Sequence, residues 1–213
     1  MANAARFMSS FERPWALCGG WAVDAWLGRV TRTHLDIDIT LFGNDVPELF
    51  DYLRDWNFVA HDEVEPQATW PWNGRVLALP GHIHARPPGE RSREIIQSWV
   101  NPPYKAGEDG LDFDFELTDR EGELCLLSRE PRIEIDASRA FRESPWGIPA
   151  LAPEAIAFYK ATAYYRNKRI KSRPHDVTDF EAILAVLDIG QRRWLKAAIA
   201  EKFVDHEWLP QLE

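Results

Sequence analysis

Two aspartates stand one residue apart in LDIDITLF, at Asp36 and Asp38, and a second pair stands one residue apart in LDFDFEL, at Asp112 and Asp114. Alternate side chains of an extended chain share a face, so Asp36, Asp38 and Thr40 project one way while Ile37, Ile39 and Leu41 project the other. Two strand residues advance the backbone by about 7 Å, which lets both carboxylates converge on one cation. Like charges so close are unfavourable unless a cation neutralises them, and oxygen-only donors select magnesium over zinc. The second acidic strand alternates in the same way, with Leu111, Phe113, Phe115 and Leu117 opposite Asp112, Asp114 and Glu116. It offers a third carboxylate, enough for two divalent ions bridging a triphosphate.

Upstream, Gly19-Gly20 ends the apolar run WALC and opens GWAVDAWLG, in which Asp24 is the only charge. A strand that turns into a helix through glycines lets backbone amides approach a phosphate closely, and the helix amino terminus adds a favourable dipole. A magnesium site and an amide site for phosphate on one chain suit nucleotidyl transfer. Arg29, Arg32 and His34 lead into the first acidic strand. They read either as solvated loop charges or as phosphate ligands, and Arg32 is the expected contact because guanidinium pairs well with phosphate oxygens. Lys160 is the lone cation of AIAFYKATAYY. It would either snorkel to solvent or reach the triphosphate.

The elements that must position these residues follow from periodicity. Residues 2–12 read as a short helix, WAL as a buried strand, and GWAVDAWL as a buried helix closed by Gly28. Val46, Leu49, Phe50 and Leu53 repeat at helical spacing. Strands are expected at 57–61, 75–79 and 82–86, then in LDFDFEL and, after a turn at 119–122, near ELCLLS. Residues 87–110, rich in Pro, Gly and charge, read as a long excursion suited to a flap. From Pro149 the pattern is helical, in LAPEAIAFYKATAYYRNK, in a helix with Asp176 as N-cap, and over 190–203. The expected architecture is therefore α/β (α+β), a mixed sheet flanked by helices. Its expected division is an α/β domain over 1–148 and a carboxy-terminal helical domain over 149–213.

His82 and His84 form an HxH, but no third nitrogen or sulfur donor stands at a suitable spacing, so they read as ordinary strand polars rather than zinc ligands. Trp70 and Trp72 read as packing residues, whereas Trp99 and Tyr104 lie in the expected flap, where they could stack on a base or sugar. Cys18 and Cys125 sit in apolar surroundings and read as buried free thiols.

With 213 residues, 45% of them hydrophobic and 28% charged, the chain has the composition of a globular protein able to bury a core. No apolar run reaches the length of a membrane span, and the amino terminus lacks the layout of a signal peptide, so a cytoplasmic protein without membrane contacts is expected. A net charge of -9 disfavours nucleic acid as a partner and suits a cationic small molecule.

The order of these motifs, GG, helix, then DxD strand, resembles the core of the DNA polymerase beta-like nucleotidyltransferase superfamily. GGWAVDAWLGRVTRTHLDIDIT is most similar to the aminoglycoside 2''-nucleotidylyltransferases, and weaker similarity to related small nucleotidyltransferases extends through LDFDFEL, LAPEAIAFYK and PHDVTDFEAIL. The resemblance implies a mixed sheet with a helical second domain and two Mg2+ ions. It implies transfer of a nucleoside monophosphate from a triphosphate, ATP first, to a hydroxyl of a small acceptor such as an aminoglycoside. By position, Asp36 and Asp38 would be paired metal ligands, and Asp114 the third carboxylate and proton acceptor, with Asp112 the alternative. Gly19 and Gly20 would seat phosphate, although the serine common after these glycines is Trp21 here. Other acceptors compatible with the superfamily are a protein or a tRNA end, as in toxin–antitoxin members. A non-catalytic nucleotide-binding module is the reading from a different class.

Overall fold

This computed structural model describes residues 2–32, 34, 36–62, 69–86, 113–166 and 173–213. The chain divides into two compact units, Met1–Leu17 with Arg32–Arg120, and Cys18–Thr31 with Glu121–Glu213. The division expected at residue 148 follows composition, which is a different property from packing. The expected flap, Asp112, Trp99 and Tyr104 lie outside the described residues.

The first unit is built on alternation. Its helices are α1 (Ala2–Met8) and α3 (Val46–Tyr52), and its strands β1 (Trp15–Leu17), β2 (Ile37–Phe42), β3 (Asn57–Asp62), β4 (Thr69–Pro71), β5 (Gly81–Arg86) and β6 (Phe113–Glu121, ending at the unit boundary). They pair in the order β4-β3-β5-β6-β2-β1. Within this run β2 and β6 are parallel, whereas β1 with β2, β3 with β4, β3 with β5 and β5 with β6 are antiparallel. The register aligns Ile37 with Phe113 and Ile39 with Phe115, and places Ile83 opposite Phe115. One sheet face is therefore apolar, and Ile39, Leu41, Ile83 and Phe115 are fully buried on it. Each such side chain contributes about 1.5–3 kcal/mol by leaving water. Helices α1 and α3 cover this face: Phe7 packs on Phe113 at 4.9 Å between ring centres, and Phe50 on Phe58 at 5.6 Å. Trp72 is core, as expected, meeting Phe50 and Phe58 edge-on.

Two local expectations for this unit fail. The first helix ends at Met8 rather than Glu12. Residues 75–78 form no strand: Val76 is 55% exposed while Leu77 is buried, and the Trp72 indole N–H donates to the Arg75 carbonyl at 2.8 Å. A single inward side chain before Pro80 does not sustain a ladder.

The second unit contains α2 (Gly19–Leu27), strands β7 (Leu124–Ser128), β8 (Ile133–Asp136), β9 (Phe141–Glu143) and β10 (Pro149–Leu151), the short α4 (Ala137–Ala140), and the helices α5 (Pro153–Arg166), α6 (Pro174–Leu184) and α7 (Ile189–Lys202). Helix α2 buries Ala22, Val23, Asp24 and Ala25, and the Trp26 indole N–H donates to the Leu151 carbonyl at 2.8 Å. Gly28 closes it in the left-handed region, φ +68°, with its N–H on the Ala25 and Asp24 carbonyls. The buried Asp24 carboxylate then accepts from the backbone N–H of Thr31 at 3.0 Å and from its hydroxyl, pinning the loop after the helix. Helix α7 opens with a capping box between Asp188 and Gln191. Trp208 stacks on Phe180 at 4.0 Å, both fully buried.

Asp176 is not the N-cap of α6. Arg173 holds that position and Pro174 starts the helix with its preset φ, which leaves Asp176 in the first turn. Both cysteines are buried thiols outside any disulfide. Among the described residues no helix is long and apolar enough to cross a membrane.

Candidate active site

Strand β2 presents Asp38 and Thr40 on the face opposite Ile37 and Ile39, because successive side chains alternate. Its neighbour β6 does the same with Asp114 and Glu116. The parallel register makes Asp38 the partner of Asp114 and Thr40 the partner of Glu116. Two of the sequence-derived carboxylates therefore stand on adjacent strands of one face. Both are half-buried, while Asp36 is exposed immediately before β2 begins. One step further along, the Thr40 and Thr118 hydroxyls meet at 2.6 Å, a buried polar contact that ties the same two strands together. Arg32 is half-buried in the loop that leads to Asp36.

The next strand adds residues for which the sequence offered no role at this site. His84 is the register partner of Asp114, and His82 that of Glu116. The His84 Nδ1 atom lies 3.6 Å from Asp114 Oδ2, too long for a hydrogen bond. Burial, reinforced by the neighbouring His82, His61 and Arg86, pushes the His84 imidazole down to about 2, so it is neutral here and the contact is not an ion pair. His82 and His84 were expected to be ordinary strand polars for want of a third donor; pairing of β3 with β5 supplies one, His61, directly opposite His82. The signal available in the sequence was His61 at an outward position of NFVAHD, but only the strand register joins it to the HxH.

The remaining candidates belong to the second compact unit. Gly19 begins α2 with φ +58°, a conformation that disfavours any side chain, and is half-buried, whereas Gly20 is buried. An α-helix directs its first amides outward along its axis, where they favour an anion. Lys160 is buried on α5, its Nζ 2.6 Å from Asp179 Oδ2 and 3.2 Å from Asp176 Oδ1. Arg173 also reaches Asp176, at 2.5 Å.

Three solved structures share this arrangement of elements. The antibiotic-resistance factor ANT(2'')-Ia, in its solution structure, superposes with a TM-score of 0.57 at 18% identity, covering 98% of this chain and 93% of that one. The chain has the nucleotidyltransferase fold. Crystalline ANT(2'')-Ia in complex with adenylyl-2''-tobramycin shares this nucleotidyltransferase fold with a TM-score of 0.55 at 19% identity, over 93% of each chain. The lincosamide antibiotic adenylyltransferase LnuA, bound to lincomycin, shares it with a TM-score of 0.52 at 14% identity, over 87% of this chain and 95% of that one. The mixed sheet flanked by helices expected from the sequence is thus the observed fold.

At the sequence level, residues 2–69 of this nucleotidyltransferase-fold chain match the profile of the aminoglycoside-2''-adenylyltransferase family. A 31-residue stretch is 64% identical to 2''-aminoglycoside nucleotidyltransferases of Escherichia coli and Klebsiella pneumoniae, covering 15% of this chain. In that match the chain spans 18% of the length of these relatives.

Proposed function

We propose that the protein is a magnesium-dependent nucleotidyltransferase that moves a nucleoside monophosphate from a triphosphate, ATP first, to a hydroxyl of a small cationic acceptor. The observation that carries this reading is the shared register of Asp38 and Asp114 on parallel strands, within a nucleotidyltransferase fold. The donor set suits the metal: carboxylate oxygens with no sulfur match the hard Mg2+ ion. Asp36, Asp38 and Asp114 would hold two such ions, which when bound neutralise the triphosphate and the departing pyrophosphate.

The protein's own groups would do the rest. Gly19 and Gly20 would bind phosphate oxygens through backbone amides, and Arg32 would add cationic charge toward them. Lys160, expected either to snorkel to solvent or to reach the triphosphate, is instead buried and paired with Asp176 and Asp179. Asp114 takes the proton of the acceptor hydroxyl. The hydroxyl oxygen then bonds to the α-phosphorus as the bond from that phosphorus to the β-bridging oxygen breaks, and pyrophosphate leaves. These steps are assigned to the 1–148 part. ANT(2'')-Ia carries adenylyl-2''-tobramycin in its complex and LnuA carries lincomycin. By analogy with the first, and with the net charge of -9 here, an aminoglycoside is the first acceptor to test.

The experiment measures pyrophosphate release from each of the four nucleoside triphosphates with Mg2+, with and without an aminoglycoside panel. Acceptor-dependent release that vanishes in an intact Asp38→Ala variant is expected. Equal turnover by that variant would overturn the assigned chemistry, and tight nucleotide binding without turnover would identify a non-catalytic module.

A further inference from the structure

The polar face of the first compact unit carries a second cluster whose donors are of another kind. His61 on β3 stands directly opposite His82 on β5, and His84 follows two residues along on the same face. The His61 and His82 rings stack at 4.5 Å and 15°, and His84 meets both nearly edge-on, at 4.8 and 4.9 Å. One nitrogen from each ring can be chosen so that all three lie within 4.8 Å of one another.

We propose that His61, His82 and His84 form a binding site for a divalent transition metal that prefers imidazole, zinc foremost, distinct from the carboxylate site of Asp36, Asp38 and Asp114. Nitrogens bound to tetrahedral zinc at 2.0–2.1 Å lie roughly 3.3 Å apart, so binding would draw the three nitrogens together from the 4.8 Å or less that separates them. Imidazole is a poor donor for magnesium and a good one for zinc, cobalt, nickel and copper. The two sites therefore select different ions although they share one sheet face.

Two further features suit the assignment. Asp114 Oδ2, 3.6 Å from His84 Nδ1 and beyond hydrogen-bond reach, sets a carboxylate beside the rings whose charge favours a bound cation. His61 also lines a cavity of about 240 Å3 together with Trp70, Arg75, Val76, Leu77 and Ala78. A three-histidine zinc site leaves a fourth position for water or a small ligand.

The test uses the full chain, stripped of metal with a chelator and titrated with Zn2+ alone in excess Mg2+, with no nucleotide present. One equivalent is expected to bind. His61→Gln and His82→Gln should each weaken binding more than 10-fold, and Asp38→Asn should leave it unchanged. In the parent protein, NMR should show ring signals of three of the six histidines shifting on zinc addition, which decides the matter even if a histidine variant fails to fold. Absence of zinc binding, unchanged affinity in folded histidine variants, no histidine shift in the parent, or loss of binding in Asp38→Asn would each overturn the proposal. Because the readout is metal binding, a failed transfer assay would bear on the proposed enzyme activity and leave this outcome untouched.

Discussion

Asp38 on β2 and Asp114 on β6 are register partners across a parallel strand pairing. Neighbouring carboxylates repel each other, and a divalent cation held between them would offset that repulsion.

From that relationship, stability and the proposed activity are expected to respond in opposite directions. Asp38→Asn and Asp114→Asn should each raise the Tm slightly without metal, because a like charge is gone. They should also abolish the rise in Tm expected of the parent on adding Mg2+. Pyrophosphate release should fall by on the order of 100-fold or more, as when a group acting directly on transition-state charge is lost. Thermal melts with and without Mg2+, beside the turnover assay, check both parts.

Lys160 holds two buried carboxylates, Asp176 and Asp179. Lys160→Met would remove the cation the two share and leave Asp176 to Arg173, a loss of about 3–5 kcal/mol by comparison with other broken buried pairs. Asp176→Asn should cost less, since Lys160 keeps Asp179. Urea unfolding of the three proteins measures the order; equal stabilities would show that the cluster contributes nothing.

Acid should destabilise the protein from about pH 6.5 downward. Burial lowers the imidazoles of His61, His84 and His206 from their ordinary value. In His206 the geometry fixes the neutral form, because Nδ1 accepts from the Trp208 backbone N–H at 3.1 Å and Nε2 faces the Ala161 carbonyl at 3.3 Å. Below the unfolded-state value the unfolded chain binds protons that the folded chain refuses, so stability rises with pH and is lost as pH falls. With His84 at about 2 when folded, that residue alone should cost about 1 kcal/mol between pH 6.5 and 5.5. Urea midpoints across pH 5.5–8 in the parent and in His84→Gln test this; parallel curves would contradict it.

Gly28 ends α2 at φ +68°, and among the described residues an added Cβ would meet only the Pro145 side chain, at 3.9 Å. Gly28→Ala should therefore lose only the backbone term, about 1–2 kcal/mol, with no steric addition. A much larger loss in chemical denaturation would mean that more than the cap had been disturbed.

The acidic face was legible from local chemistry. In IDITLF and FDFEL the two-residue period separates Asp38 and Asp114 from Ile37, Ile39, Phe113 and Phe115, and each strand carries that division in its own residues. Helix α2 was equally readable, since its start at Gly19-Gly20 and its stop at Gly28 are backbone preferences of the glycines themselves. Elsewhere local signals misled. Residues 75–79 look like a strand by composition yet have no ladder, and Asp176 looks like a cap although Pro174 starts the helix.

What sequence alone determined is which side chains share a face, because alternation and capping depend on neighbours along the chain. Only the tertiary structure decided which faces meet: that β6 lies parallel beside β2 with Asp114 level with Asp38, and that β3 brings His61 to the HxH of β5. Register is a relation between segments tens of residues apart, settled by burying the apolar side of every strand at once. No local pattern contains that information.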